Sequence, residues 1–266
     1  MKTIEINHAN LQHCQQTLPP HVIALGFFDG LHKGHQKVIE EARKKADELE
    51  LPLSVMSFFP HPKSVLSKGQ KHVEYLMPLE KKQQRLKELG VDYFLIVEFN
   101  LDFASLSPQL FAEHYLIGLG AKHVVCGYDY TYGSKGSGNV NTLFAHGNGD
   151  YGVTEVAKVE LCGDKVSSTR IRESLAIGDI EFIQNLLGEP YMVEWCPENG
   201  LLPQYTLPAR GEYVATVKCH DREIVGILQV TADEQINFNR IGFISDRMMT
   251  IKWHKEVEET AFSLMT

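Results

Sequence analysis

Short apolar segments alternate with segments of helical periodicity over roughly the first 188 residues. The strand-like segments are 21–28, 53–59, 92–99, 122–126 and 153–159. The helix-like segments are 34–50, 78–89, 108–119 and, as a set of short helices, 169–187. Parallel strands need crossover connections, which are usually helices, so this alternation predicts an α/β domain with a mainly parallel, doubly wound sheet.

The pattern changes after about residue 188. Short β-like runs follow at 212–218, 224–230 and 248–253. The segment before them contains four prolines: Pro190, Pro197, Pro203 and Pro208. We therefore predict two domains, 1–188 and a small C-terminal β domain, 189–266.

Composition narrows the class of protein. The 266 residues carry a net charge of −8, which argues against a protein that coats nucleic acid with basic side chains. No apolar stretch reaches the roughly 18 residues of a membrane span, and the N-terminus MKTIEINHANLQHCQQ does not resemble a signal peptide.

The five cysteines form no CxxC pair, so we expect no disulfide framework and no zinc ribbon. We also expect a reducing, cytoplasmic setting. The charge-rich runs 40–50 and 80–87 are expected to be solvated helix faces.

The most informative segment is GFFDGLHKGH, residues 26–35, which leads from the first strand into the first helix. Ligands of open α/β sheets bind at the carboxyl ends of strands, and the amides of a helix N-terminus attract phosphate. The glycines allow tight turns and close approach of the backbone. His32 and His35 are three residues apart, on one side of the first turn, where both could donate hydrogen bonds to polyphosphate.

The histidine pair has two other interpretations. Both residues could be loop histidines without a function, or they could form a metal pair. The glycine-rich context favours phosphate, and no third ligand at a metal-binding spacing supports the metal interpretation. We expect no metal held by protein ligands alone.

Three further segments follow in order along the chain. FPHP, residues 59–62, ends the second strand; GYDYTYG, residues 127–133, follows the fourth strand; and SSTRIR, residues 167–172, precedes the last helices of the first domain. Together with GFFDGLHKGH they resemble the prokaryotic FAD synthetase family, the bifunctional riboflavin kinase/FMN adenylyltransferases of the HxGH nucleotidyltransferase superfamily. The family patterns are F-x-P-H-P, G-x-D-F-x-F-G and S-S-T-x-I-R, and here tyrosine replaces both phenylalanines of the second.

The resemblance implies a Rossmann-like nucleotidyltransferase domain that transfers AMP from ATP to FMN, giving FAD and pyrophosphate, with Mg²⁺ as cofactor. It implies three catalytic residues: His32, His35 and Arg172. The implied ATP contacts are Gly26, Phe27, Phe28, Gly34, Asp129, Ser168, Thr169 and Arg172. The implied FMN contacts are Asp29, Pro60, His61, Pro62, Tyr128 and Tyr130.

Several of these residues also have a structural interpretation. Asp129 could bind ribose or a Mg²⁺-bound water, or it could simply form a turn. His61 could belong to an ordinary rigid loop held by Pro60 and Pro62. The Ser167–Thr169 cluster reads as a helix N-cap, which is compatible with phosphate binding at the same amides. Arg170 occupies the variable position of its motif.

The C-terminal part departs from the family. The kinase segment G-x-x-x-G-R-x-x-G-F-P-T-A-N is absent between Tyr191 and Leu207, and N-x-G-x-x-P-T-F is missing too. We therefore predict an FMN adenylyltransferase with a truncated domain that lacks riboflavin kinase activity. The alternatives are a bifunctional enzyme, another adenylyl- or cytidylyltransferase, and a non-catalytic flavin or nucleotide sensor. Small-molecule substrates are the expected partners, with no nucleic acid and no membrane.

Overall fold

The computed structural model describes residues 1–67, 70, 75–202, 205–220, 222–238, 241 and 248–257. The chain forms two compact units. The first consists of Met1–Val73 and Leu79–Val159, and the second of Glu74–Pro78 and Glu160–Thr266.

The first unit contains a six-stranded sheet in which every neighbouring pair is parallel. Its strands are β1 (Lys2–Ile6), β2 (His21–Leu25), β3 (Leu53–Phe59), β4 (Tyr93–Glu98), β5 (Ala121–Gly127) and β8 (Gly152–Val156). Their order across the sheet is β1-β4-β3-β2-β5-β8. The predicted α/β class with a parallel sheet is confirmed. A short antiparallel pair, β6 (Thr131–Tyr132) and β7 (Gly138–Asn139), follows β5.

Helices connect the strands of this sheet. They are α1 (Leu11–Thr17), α2 (Lys33–Glu48), α3 (Pro62–Leu66), α4 (Leu79–Glu88), α5 (Leu101–Ser105), α6 (Pro108–Phe111) and α7 (Val140–Gly147). Helix α2 packs on β2, β3 and β5 through a buried stripe at helical spacing, Val38, Ile39, Ala42 and Ala46. Its outer face carries the expected ion pairs, including Lys37 with Glu41 at 3.0 Å.

The sequence pattern misses several elements, including β1, α1, α3, α5 and α7, and merges two others. Strand β1 lies at the edge of the sheet, parallel to β4, and both β1 and α1 were absent from the prediction. The predicted helix 108–119 is α-helical only to Phe111 and continues as a π-helix over Ala112–Ile117. A π-helix keeps apolar side chains on the buried side, so the periodicity alone does not distinguish it from an α-helix.

The second unit contains an antiparallel sheet of six strands. They are β11 (Tyr191–Cys196), β12 (Gly200–Leu201), β13 (Gly211–Cys219), β14 (Arg222–Val230), β15 (Ile236–Asn237) and β16 (Met249–Glu256). The order is β12-β11-β16-β13-β14-β15, with Tyr213 and Trp253 fully buried in its core. A hairpin of β9 (Glu160–Leu161) and β10 (Asp164–Lys165) precedes two helices, α8 (Ser168–Ile177) and α9 (Ile180–Leu187). The predicted C-terminal β structure is confirmed.

The two compact units divide between Val159 and Glu160, whereas the predicted domain boundary is near Gly188. Helix α9 packs on β11 and β16 of the antiparallel sheet, and α8 packs on α9. The buried residues of α9 include Ile180, Ile183 and Leu186. Both helices therefore belong to the compact unit of the sheet that follows them.

Among the helices that the structure describes, none combines the length and the apolar character that a membrane span requires.

Candidate active site

The segment from Gly26 to His35, which we call the glycine turn, connects the carboxyl end of β2 with the start of α2. Phe28, Gly30 and Leu31 have φ angles of 55°, 77° and 44°, in the left-handed region. For Phe28 and Leu31 this conformation costs about 1–3 kcal/mol each, and it persists because the surroundings fix it. Both side chains are buried. At Gly26 a Cβ atom would lie 2.9 Å from the Phe28 ring, so a larger residue does not fit.

The turn brings the two predicted histidines together. The rings of His32 and His35 are stacked, with centroids 3.6 Å apart and an interplanar angle of 17°. His32 is 5% exposed and caps α2, since its Nδ1 accepts a hydrogen bond from the backbone N–H of His35 at 3.3 Å. A neutral His32 therefore carries its proton on Nε2, which makes that nitrogen a hydrogen-bond donor. The site thus combines imidazole donors with the N-terminal amides of α2, an arrangement suited to phosphate.

The FPHP loop lies against the glycine turn. His61 caps α3, because its Nδ1 accepts a hydrogen bond from the backbone N–H of Lys63 at 3.0 Å. The His61 ring also contacts the Phe27 ring edge-on, at a centroid distance of 4.3 Å. Two segments that are about thirty residues apart in sequence therefore form one surface, as expected for strand ends at one edge of a parallel sheet.

An aromatic cavity of about 560 Å³ opens beside this loop. Its walls come from the ends of β3 and β4, from α5 and α6, and from the segment after β5. The lining residues are Phe58, Pro62, Leu66, Phe99, Leu101, Phe103, Ala104, Ser105, Leu106, Phe111 and Tyr130–Gly136. Pro62 is therefore a wall of the cavity, while the adjacent His61 contacts the glycine turn. A concave, mainly apolar site of this size suits a flat aromatic ligand.

The tyrosine-rich segment, residues 127–133, is exposed at its start and lines the cavity farther along. Tyr128 and Asp129 are exposed on the turn that follows β5, and this turn is closed by a hydrogen bond from Tyr130 N–H to the Gly127 carbonyl at 3.0 Å. Tyr130 lines the cavity together with Tyr132. Burial raises the pKa of both phenols, so both rings stay neutral near pH 7. Within the described part of the chain, no group of three His, Cys, Asp or Glu side chains could hold a metal ion.

Comparison with known proteins identifies the family. A family model described as FAD synthetase matches residues 14–170. A bifunctional riboflavin kinase/FMN adenylyltransferase of Listeria monocytogenes is 35% identical, over 97% of this chain and 86% of its own length. This chain belongs to the FAD synthetase family. A protein named FAD synthetase, also from Listeria monocytogenes, is 30% identical over 96% of this chain and its entire own length.

Among solved structures, a protein of Streptococcus pneumoniae described as a macrolide-efflux protein resembles this member of the FAD synthetase family. The two are 29% identical, the match covers 97% of this chain and 91% of the other, and the TM-score is 0.85. The similarity supports the fold of each of the two units, taken separately.

In this FAD synthetase family member the SSTRIR segment lies in the second compact unit. Ser167 caps α8, since its hydroxyl accepts a hydrogen bond from Arg170 N–H at 3.2 Å, as the sequence predicts. Arg170 has structural partners: it donates to the Leu161 carbonyl at 2.8 Å and pairs with Asp164 at 3.3 Å. Ser168 and Thr169 form the first turn of α8, and Arg172 donates to the Ser168 carbonyl at 3.4 Å.

Sequence reasoning misses two features of the site. Phe99 and Phe103 line the cavity, and the only signal for them is that Phe99 ends a predicted strand and Phe103 follows it. Lys82 lies in the charged run 80–87, which was expected to be solvated, yet it is 3% exposed. That expectation is wrong at Lys82, because one side of α4 packs on the glycine turn, including Asp29–Leu31.

Proposed function

We propose that this protein is an FMN adenylyltransferase that transfers AMP from ATP to FMN and releases FAD and pyrophosphate. The observation that carries the proposal is the contact between His61 and Phe27, because it puts the glycine turn beside the wall of the aromatic cavity. A donor site for phosphates and a cavity for a flat ring are thus neighbours, as the two halves of this reaction require. The names of the two Listeria monocytogenes relatives support the same reaction.

The aromatic cavity is the proposed site of the isoalloxazine ring. Phe58, Phe103 and Tyr130 offer ring faces and edges, which pack well on flat aromatic ligands. Of the predicted FMN contacts, Pro62 and Tyr130 line this cavity, and His61 lies between it and the glycine turn. Pro60, Tyr128 and Asp29 stay predictions, and Asp29 is only 2% exposed.

The chemistry is an in-line displacement at the α-phosphorus of ATP. An oxygen of the FMN phosphate forms a bond to this phosphorus, while the bond to the bridging oxygen of the β-phosphate breaks. Pyrophosphate leaves with the bonding electron pair. The attacking phosphate is already ionised, so no general base is needed, and the protein contributes mainly positioning and charge stabilisation.

The glycine turn supplies the donors for this step. His32 and His35, with the first amides of α2, would hold the α- and β-phosphates and stabilise the charge that develops on the leaving pyrophosphate. Ser168, Thr169 and Arg172 remain predicted contacts of the triphosphate. Gly26, Phe27, Phe28 and Gly34 remain predicted ATP contacts through the backbone of the turn.

Mg²⁺ is the expected cofactor. In sites of this type the ion is held by substrate phosphates and one or two carboxylates, so a protein cluster of three ligands is not required. Asp129 fits as the carboxylate, since it is exposed at the carboxyl end of β5, next to β2 in the sheet. When bound, Mg²⁺ neutralises phosphate charge.

Incubation of the protein with FMN and ATP tests the proposal, with FAD and pyrophosphate as the expected products in equal amounts. Nicotinamide mononucleotide and phosphopantetheine in place of FMN, and CTP in place of ATP, are the matched controls. Product from one of these and none from FMN would assign a different nucleotidyl transfer. Binding of FMN without pyrophosphate release would favour a flavin sensor.

A cytoplasmic location stays a proposal. It agrees with the five cysteines, all of which the structure describes and none of which forms a disulfide.

A further inference from the structure

Lys82 is buried in the first unit, although Lys87 of the same helix lies at the surface. Its exposed fraction is 3%. Lysine is almost never fully buried without a partner, since removing an ammonium group from water costs free energy. The contacts of the buried ammonium group therefore indicate the role of Lys82.

Among the residues that the structure describes, the ammonium group contacts the glycine turn. Lys82 Nζ donates to the Phe27 carbonyl at 2.8 Å, and Ser57 Oγ donates to the same oxygen at 2.8 Å. Nζ also lies 4.6 Å from the centroid of the Phe27 ring, within the range of a cation–π interaction. The carboxylate of Asp29 is buried and close enough to raise the pKa of Lys82.

Phe27 and Asp29 flank Phe28, the first residue of the turn in the left-handed region. One side chain thus holds the residues on both sides of an unfavourable backbone conformation. The same turn includes His32, whose side chain caps α2 and stacks on His35. A change in the turn would therefore displace the imidazole pair, and a displacement of about 1 Å can cost on the order of 10²-fold in rate.

We propose that Lys82 is a positioning residue for adenylyl transfer: its buried ammonium group, bound to the Phe27 carbonyl and opposite Asp29, holds the glycine turn in the conformation that presents His32 and His35 to the phosphates. This inference rests on the proposed function. Lys82 acts through the turn and does not touch the reacting atoms.

The position of Lys82 also gives the enzyme a pH dependence. Burial lowers the pKa of Lys82 to about 8, and Asp29 opposes part of that shift. The other titratable groups of the glycine turn and the FPHP loop are His32, Lys33, His35 and His61, and the His61 ring contacts Phe27. As the pH rises through about 8 the ammonium loses its proton and its attraction to Asp29, so turnover should fall on the alkaline side.

Three variants test the proposal. Lys82→Met keeps the length and removes the charge, Lys82→Arg keeps a charge that does not titrate in this range, and Lys87→Met is the surface control on the same helix. For each variant kcat and the KM for FMN are measured between pH 6.5 and 9.5, with a thermal unfolding curve. This range extends about 1.5 pH units on either side of the Lys82 pKa of about 8, so it covers both protonation states.

We expect Lys82→Met to lower kcat about 10²-fold with the KM for FMN nearly unchanged, because the aromatic cavity is intact. The alkaline fall in kcat should be present in the wild type and in Lys87→Met, and absent in Lys82→Arg. A folded Lys82→Met variant with wild-type kcat would overturn the proposal. If Lys82→Met does not fold, an alkaline fall that persists unchanged in Lys82→Arg would overturn it.

Binding of inorganic pyrophosphate, measured by calorimetry, separates this inference from the proposed function. Loss of tenfold or more in pyrophosphate affinity in Lys82→Met supports the positioning role even if the wild type makes no FAD, a result that would reject only the proposed function. If the wild type makes FAD and Lys82→Met has the same pyrophosphate affinity and the same turnover as the wild type, the positioning role alone is rejected.

Discussion

At the scale of single residues, His32 and His35 have a structural role at the start of α2 and a proposed chemical role as phosphate donors. His32 caps α2 with its Nδ1 and stacks on His35, so a substitution can act through either the helix or the phosphates. We expect His32→Ala and His35→Ala each to lower the rate of FAD formation by about 10²-fold or more, the scale of one lost transition-state donor. Steady-state kinetics of folded variants measures this.

Two further variants make that result specific. His32→Asn retains a side-chain oxygen that can cap the helix but removes the imidazole donor, so it should be as slow as His32→Ala and more stable. His13→Ala, at an exposed position of α1, should leave the rate unchanged. Wild-type turnover in His32→Asn would show that the imidazole is dispensable.

Tyr132 links the cavity wall to α7. Its hydroxyl bonds to Nδ1 of His146 at 2.9 Å and to Oγ1 of Thr142 at 3.1 Å, and burial raises its pKa. The folded state therefore holds the phenol proton more tightly than the unfolded state. The contribution of Tyr132 to stability is fully present below the unfolded pKa, about 10, and is lost as the pH rises from there towards the folded pKa.

Tyr132→Phe should accordingly lower the free energy of unfolding by about 1 kcal/mol at pH 7, the usual net contribution of a hydrogen bond. The difference from the wild type should shrink above about pH 10, where the wild-type phenol begins to ionise in the unfolded state. Urea unfolding at both pH values measures it, with Tyr93→Phe as the partly exposed control. A difference that grows with pH would contradict the assignment.

At the scale of elements, the N-terminus of α8 offers two arginines with different partners. Arg170 is fixed by Leu161, Asp164 and the ring of Phe182, which lies 4.5 Å from its guanidinium carbon. Arg172 donates to the Ser168 carbonyl within its own helix, in a long hydrogen bond of 3.4 Å. Two arginines of one motif can therefore have different roles, and substituting each in turn should distinguish a structural role from ATP binding.

We expect Arg170→Ala to lower the free energy of unfolding by about 1–2 kcal/mol with little change in the KM for ATP. Arg172→Ala should raise the KM for ATP about tenfold or more, because it loses one charge-assisted hydrogen bond to phosphate. Urea unfolding and ATP-dependent kinetics on both variants measure this. An unchanged KM for ATP in Arg172→Ala would remove Arg172 from the predicted ATP contacts.

Elements with a clear hydrophobic period could be predicted from the sequence, and sites assembled from several elements could not. The bounds of β3 were predicted to the residue, because a mainly apolar run lies between Pro52 and Pro60. The cavity combines Phe58, Phe103 and Tyr130, which no local pattern relates to one another. The burial of Lys82 depends on which side of α4 meets the turn, and a run of charges in the sequence does not reveal that side.

At the scale of the whole molecule, the second unit raises the question of a second activity. The match to the bifunctional Listeria monocytogenes relative covers 97% of this chain, and it therefore extends into the antiparallel sheet. However, the G-x-x-x-G-R-x-x-G-F-P-T-A-N segment expected from the family resemblance is absent between Tyr191 and Leu207. A fold can persist without the site that it carries in a relative, since fold and function are separable.

We therefore expect no FMN when the protein is incubated with riboflavin, ATP and Mg²⁺, while the same preparation converts added FMN to FAD. The bifunctional Listeria monocytogenes relative, assayed in parallel, is the positive control for phosphorylation. Because the adenylyltransferase would consume any FMN formed, both FMN and FAD are measured by chromatography, and His32→Ala is assayed beside the wild type so that FMN can accumulate. Sustained FMN production by His32→Ala would mean that phosphate transfer to riboflavin uses residues other than the missing segment, and the protein would then be bifunctional.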